Sequence, residues 1–109
     1  MVDIVGEDWG NPDDPDDAAV LHSYSPYHHV EKGIPYPAVL IDCGSFNRTC
    51  PAWHGRKMAA RLQAATASGR PILLRVREVG HNPQMSPAQM MEREVEELVF
   101  FVKELGLPV

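Results

Sequence analysis

The fold is decided by residues 36–44, YPAVLIDCG, a near-continuous apolar run that ends at a glycine. A run of this length with a proline at its entry is typical of a strand buried on both faces of a parallel sheet. Residues 72–76, ILLRV, predict a second short strand. Between the two, residues 51–67 carry apolar side chains at helical spacing, which predicts a helix with Pro51 near its first turn.

A second helix is predicted after Ser86. This serine and Gln89 form a capping-box pattern, with Pro87 at the first helical position. Apolar residues then recur at i, i+4, i+7, i+8, i+11 and i+14 from Met91, and Gly106 is a C-terminal stop. The order strand, helix, strand, helix predicts an α/β fold with parallel strands. The helix carries the chain back to the end at which the first strand began, so the second strand runs in the same direction.

The 109 residues allow one domain, with an acidic, loop-rich segment at 1–35 and the strand–helix–strand–helix core at 36–109. Residues 10–17, GNPDDPDD, lack the ligand spacing of a calcium loop. They predict a solvated turn or the N-cap of a short helix over residues 16–23. Two parallel strands, or three if residues 2–5 form one, leave open edges and uncovered faces. We therefore expect a homodimer that continues the sheet or exchanges elements.

Composition excludes several classes of protein. The net charge of −5 and the pI near 5.4 argue against binding to nucleic acid. The apolar runs are too short to cross a bilayer, and no basic segment precedes an apolar stretch at the N-terminus. Two cysteines do not make a disulfide scaffold, so we expect a cytoplasmic protein with reduced thiols. No histidine or cysteine spacing favours a metal, and no cofactor is expected.

Four motifs occur in order along the chain: WGNPDDP at 9–15, YSPYHHV at 24–30, YPAVL at 36–40, and Gly80-His81. Together they resemble the C-terminal part of the prolyl oligopeptidase (S9) peptidases, whose catalytic domain is an α/β-hydrolase. The resemblance implies that this chain is half of an α/β-hydrolase domain and contains its last two strand–helix units.

This sequence differs from the family at residues that peptidase activity requires. The family carries its nucleophile serine on a Gly-x-Ser-x-Gly elbow, and this sequence has no such elbow. The resemblance also implies that Asn47 stands in place of the triad aspartate, that Thr49 stands in place of a family arginine, and that His81 corresponds to the triad histidine. An amide in place of that carboxylate lowers turnover by about 10⁴ in serine proteases. We therefore expect no autonomous serine-peptidase activity.

The candidate catalytic residues are His81, as a general base or acid, and Asn47, which could orient it. The candidate substrate-binding residues are Arg48, Thr49, Tyr27 and Trp53. Each candidate also has a purely structural interpretation. His81 could be a loop residue without a function, and residues 47–49 could form a polar turn in which Thr49 caps the helix. The aromatic side chains could simply pack on the sheet. Asp42 could replace the missing carboxylate or point into the packing layer.

The function predicted from these features is that of a repurposed, non-peptidase hydrolase-fold protein. It would bind a peptide or small molecule and carry out acid–base tailoring, such as isomerisation or addition of an amine to a dehydroalanine in the maturation of a peptide natural product. Two alternatives remain open: a non-catalytic binding module, and a fragment or one half of a split prolyl oligopeptidase.

Overall fold

A computed structural model describes residues 9–81 and 85–108. The predicted strand over residues 2–5 lies outside the described residues, as does part of the loop that follows His81. The chain divides after Glu31 into two compact units.

The first unit contains helix α1, Pro15–Ser23. Asp14 is its N-cap, and the side-chain oxygen Oδ1 of Asp14 accepts hydrogen bonds from the backbone N–H groups of Asp16 at 2.9 Å and Asp17 at 3.3 Å. Of the two interpretations of the acidic run, the structure therefore supports the capped helix. Asp14 stabilises the helix because its carboxylate satisfies N–H groups that have no partner within the helix.

The second unit contains strand β1, Val39–Gly44, helix α2, Trp53–Ala65, strand β2, Ile72–Arg77, and helix α3, Pro87–Leu105. The strands pair in parallel, in a register that runs from Val39 opposite Ile72 to Gly44 opposite Arg77. This arrangement confirms the predicted α/β class and its order of elements.

Helix α2 packs against one face of the two strands. Its buried residues are Ala59, Leu62 and Ala65. Its Gly55 lies so close to the sheet that an added Cβ would lie 3.1 Å from Ile41 and 3.2 Å from Cys43. The helix is shorter than predicted, because Ala52 rather than Pro51 immediately precedes it and the backbone turns away after its last residue. There the N–H group of Ala67 donates to Ile34 instead of continuing the helix.

Helix α3 has both predicted ends: the Ser86 capping box, and Gly106 in the left-handed conformation at φ 63°. None of its residues is buried. Ion pairs join it to β2, from Arg75 and Arg77 to glutamates on the helix. Within this single chain most strand residues are only half-buried and Leu73 is 46% exposed, so the two strands have the uncovered faces that the sequence predicts for them. No helix among the described residues has the length and apolar character needed to cross a membrane.

Candidate functional site

Both strands end at the same edge of the sheet, because they are parallel and paired in register. Two segments leave this edge, residues 45–50 after β1 and residues 78–81 after β2, and we call them the strand-end loops. The backbone N–H group of Phe46 donates to the carbonyl of Val79 at 3.1 Å, and that of Ser45 donates to Arg77 at 2.8 Å. The strand-end loops therefore run side by side at the backbone. Carboxyl ends of parallel strands are where open α/β sheets place their ligands.

Gly44 sets how closely the strand-end loops approach each other. A Cβ atom at this position would collide with the carbonyl oxygen of Val79 and lie 3.0 Å from that of Gly80. Both are backbone atoms and cannot move aside as a flexible side chain would. The last residue of β1 is therefore small because the chain leading to His81 passes directly over it.

Asn47 forms a turn within its own loop. Its side-chain oxygen Oδ1 accepts hydrogen bonds from the backbone N–H groups of Thr49 at 3.1 Å and Cys50 at 2.8 Å. Asparagine commonly stabilises turns in this way. The alternative in which Thr49 caps α2 is wrong, because the helix begins after Ala52 without a side-chain cap. The side chain that stabilises this loop is therefore Asn47, and its hydrogen bonds lie before the helix begins.

This geometry limits what Asn47 can do for His81. A triad aspartate accepts the imidazole Nδ1–H and stabilises the imidazolium. The oxygen of Asn47 already accepts from two backbone donors, and its remaining polar group, the amide nitrogen, can only donate. Asn47 is therefore suited to holding the loop in shape and unsuited to stabilising a positively charged imidazole.

Arg48, Thr49 and His81 are exposed in the strand-end loops. Within residues 9–81 and 85–108, neither the Arg48 guanidinium nor the His81 imidazole has an ion pair or a side-chain hydrogen bond. A free guanidinium can form two parallel hydrogen bonds with a carboxylate. The loops thus present one cation and one titratable base at the same edge of the sheet.

The two aromatic candidates lie in different units. Trp53 begins α2 and is 52% exposed, with its ring stacked on that of His54 at 3.6 Å and the Lys57 ammonium 5.5 Å from its centre. Because half of the Trp53 side chain is exposed, packing on the sheet does not by itself explain its position. Tyr27 lies in the first unit, where its ring meets that of His28 edge-on at 5.3 Å.

Sequence reasoning missed a buried ion cluster on the face of the sheet opposite α2. Arg77 is 8% exposed, and it donates to Asp42 at 2.7 Å and to Glu96 on α3 at 2.5 Å. Burial opposes its charge, but the hydrogen bonds to these two carboxylates hold the pKa of Arg77 above its ordinary value. Asp42 is therefore paired within the packing layer and does not replace a catalytic carboxylate. The signal in the sequence was an arginine that alternates with apolar residues in a short strand.

The two cysteines differ in environment. Burial raises the pKa of the Cys43 thiol, and the Asp42 carboxylate raises it further. Cys50 is exposed, and both residues are free thiols. Among the described residues, no group of three histidine, cysteine, aspartate or glutamate side chains is arranged to hold a metal ion.

Known proteins match this chain both in sequence and in the fold described above. Residues 4–108 match the prolyl oligopeptidase family. Prolyl oligopeptidase dbiP of Dendrothele bispora is 32% identical over 108 residues, which are 96% of this chain and 15% of that protein. A solved prolyl endopeptidase structure superposes with a TM-score of 0.86 at 31% identity and covers 92% of this chain and 15% of its own. Oligopeptidase B from Leishmania major gives a TM-score of 0.85 at 25% identity, over 94% of this chain and 14% of its own.

The fold and the superpositions define the class as a segment of an α/β-hydrolase domain. The match over residues 4–108 then identifies the family: the chain belongs to the prolyl oligopeptidase family. It spans about 15% of the length of the relatives that it matches.

Proposed function

We propose that this chain is a non-peptidase member of its family that binds a peptide or small molecule bearing a carboxylate at the strand-end loops. Arg48 is the carboxylate-binding group, and His81 transfers protons on the bound molecule. The main support for the proposal is the hydrogen bonding of Asn47, whose side-chain oxygen accepts from two backbone N–H groups at 2.8 and 3.1 Å. That oxygen is engaged in the turn, so we assign binding and proton transfer to the exposed Arg48 and His81 of the strand-end loops.

Serine-peptidase chemistry requires a nucleophile, a base, and an acceptor that stabilises the charged base. The sequence has no Gly-x-Ser-x-Gly elbow, and Asn47 supplies no negative charge. An imidazole without these partners can still take and return a proton near neutral pH. We therefore favour reactions that need proton transfer and proximity but no protein nucleophile.

Addition of an amine to a dehydroalanine is one reaction of this kind. The amine nitrogen forms a bond to Cβ, and the electron pair of the carbon–carbon double bond moves to Cα. His81 accepts the proton that the nitrogen loses, and this proton is delivered to Cα. Nothing is hydrolysed, and the product has the summed mass of the two reactants.

Binding is tested by NMR titration of the labelled chain with one short peptide in two forms, with a free C-terminal carboxylate and with a C-terminal amide. We expect the carboxylate form to bind more tightly, and we expect Arg48→Gln to weaken its binding about tenfold, because a hydrogen bond to a charged group contributes about 1.5–3 kcal/mol. Arg70→Gln removes an equal charge at the amino end of β2 and should leave the affinity unchanged. Equal affinity for the two peptide forms would contradict the proposal.

Proton transfer is tested with a dehydroalanine peptide and a primary amine, by following the product of summed mass. His81→Ala should abolish product formation while peptide binding persists. The control is His22→Ala, which replaces an exposed histidine outside the strand-end loops and should leave product formation unchanged. A product formed equally by His81→Ala would remove His81 from the reaction. If the unmodified chain binds the peptide but forms no product, the proton-transfer part of the proposal is wrong and a binding module remains.

A second candidate function rests on the family membership of the chain. The chain aligns with only 15% of prolyl oligopeptidase dbiP, and the aligned part includes the residue that resembles the triad histidine. It would then be one half of a split peptidase whose serine lies on another polypeptide. A neighbouring gene that encodes the serine half, and cleavage of a prolyl substrate only when both polypeptides are mixed, would favour this function over the first.

A further inference from the structure

Helix α2 is positively charged in a chain whose net charge is −5. The sequence has no aspartate or glutamate between Asp42 and Glu78, and α2 lies within this stretch. The lysines and arginines of the helix are Arg56, Lys57 and Arg61. The acidic residues of the chain are therefore all outside α2, and the helix concentrates positive charge.

The cations of α2 share one side of the helix with an aromatic ring. Trp53, Lys57 and Arg61 follow one another at a spacing of four residues, and Arg56 lies three residues after Trp53, so the four positions are neighbours on the helix surface. Trp53, Arg56 and Lys57 are exposed, and Arg61 is half-buried. We call these four residues the α2 basic face. It lies largely opposite the side that α2 buries against the sheet.

Ion pairing decides which charges are available to a partner. Arg75 and Arg77 belong to the same acid-free stretch, but carboxylates on α3 and β1 already pair with them. Arg56 has no ion pair with any residue in 9–81 or 85–108. A guanidinium can bind a carboxylate through two parallel hydrogen bonds. The α2 basic face therefore offers the Arg56 guanidinium to an incoming carboxylate.

Trp53 adds an apolar contact beside this charge. Its side chain is 52% exposed, and the Lys57 ammonium lies 5.5 Å from the centre of its ring. Tryptophan and arginine are enriched among the few residues that dominate binding energy at protein interfaces. The pairing of Trp53 with Arg56 fits a partner that presents carboxylates next to an apolar side chain.

We propose that the α2 basic face binds an acidic peptide segment of a partner protein. Carboxylates of the segment pair with Arg56 and Lys57, and an apolar side chain of the segment lies against Trp53. The 13 residues of α2 extend over about 20 Å, which suits a short peptide. A nucleic acid carries closely spaced phosphates along its whole length, and the negative remainder of the chain would repel them. The α2 basic face lies outside the strand-end loops, so the proposal does not depend on the proposed function.

An NMR titration of the labelled chain tests the proposal. The probe is a short peptide with several glutamates and one phenylalanine, blocked at both ends so that it lacks the terminal carboxylate assigned to Arg48. We expect the largest amide shifts in α2, weaker binding as salt is added, and about tenfold weaker binding of the same peptide with glutamine at each glutamate position. Absence of binding, equal binding of the two peptides, or shifts centred outside α2 would overturn the proposal and leave the proposed function untouched.

Variants test the residues of the α2 basic face. The double variant Arg56→Gln, Lys57→Gln should weaken binding of the acidic peptide about tenfold, with an unchanged helical circular dichroism spectrum because both side chains are exposed. Trp53→Ala should also weaken it. Lys103→Gln removes an exposed cation of α3 and should leave the affinity unchanged. Undiminished binding in the double variant would contradict the assignment, and tighter binding of a single-stranded oligonucleotide than of the peptide would contradict the choice of partner.

Discussion

At the scale of single residues, the arginines of β2 show how burial decides what an ion pair contributes. Arg77 is almost fully buried and lies between Asp42 and Glu96. Arg75 pairs with Glu92 and Glu96 at 3.1 and 3.3 Å, but its side chain is 45% exposed. Water screens Arg75 more than Arg77, and removing the buried guanidinium takes away the cation that faces the Asp42 carboxylate, while Glu96 keeps its ion pair with Arg75.

We predict that Arg77→Met lowers the free energy of unfolding by about 3 kcal/mol, because breaking a buried ion pair leaves an unpaired charge. The matched variant Arg75→Met should lower it by less than about 1 kcal/mol, since exposed pairs contribute little. Urea unfolding monitored by circular dichroism measures both. Equal losses in the two variants would show that the cluster around Arg77 is screened like a surface pair.

At the scale of elements, α3 depends on its ends and on its ion pairs, because it contributes no buried residue. In its capping box, the Ser86 hydroxyl accepts from the N–H group of Gln89 at 3.3 Å, and the Gln89 side chain accepts from the N–H group of Ser86 at 2.8 Å. Such local bonds satisfy N–H groups that no other part of the described structure reaches.

We predict that Ser86→Ala destabilises α3 by about 1 kcal/mol, the usual cost of losing an N-cap. Hydrogen exchange of the amides in its first two turns should become faster, while exchange in α2 stays the same. Ser86→Asp keeps a capping oxygen and should restore protection. If the aspartate variant exchanges as fast as the alanine variant, the cap is not what holds this end of the helix.

At the scale of the whole molecule, the chain has the fold of an α/β-hydrolase segment. Its strand-end loops are positioned as in an α/β-hydrolase, but a loop position does not carry activity when the reacting groups differ. The resemblance places His81 at the triad histidine and Asn47 at the triad aspartate, and no Gly-x-Ser-x-Gly elbow occurs in this sequence.

We predict that the purified chain alone neither cleaves a prolyl ester nor reacts with a fluorophosphonate, which labels activated serines. A full-length prolyl oligopeptidase, assayed in parallel, should do both. Mass spectrometry of the probe-treated chain is the measurement. Stoichiometric labelling of any serine would show that a nucleophile is activated here by groups other than the triad.

Much of the fold was predictable from local patterns. The apolar run that ends at Gly44, the helical spacing after Trp53 and the capping box at Ser86 each lie within one short window of sequence. The boundaries of α2 were less predictable, since its last turn ends where Ala67 donates to Ile34, a partner 33 residues away. The turn at Asn47 was readable in principle, because asparagine often accepts hydrogen bonds from the N–H groups that follow it.

The sequence by itself determined the order of the elements, the caps of α3 and the family resemblance, because these depend on residues close together in the chain or on motifs read in order. Only the tertiary structure decided that Asp42 pairs with Arg77, 35 residues away, and that apolar side chains of α3 such as Leu98 stay exposed in this chain. The physical reason is that periodicity specifies an apolar face but does not specify its neighbour. Which charges pair and which faces remain uncovered follows from the packing of strands and helices that are distant in sequence.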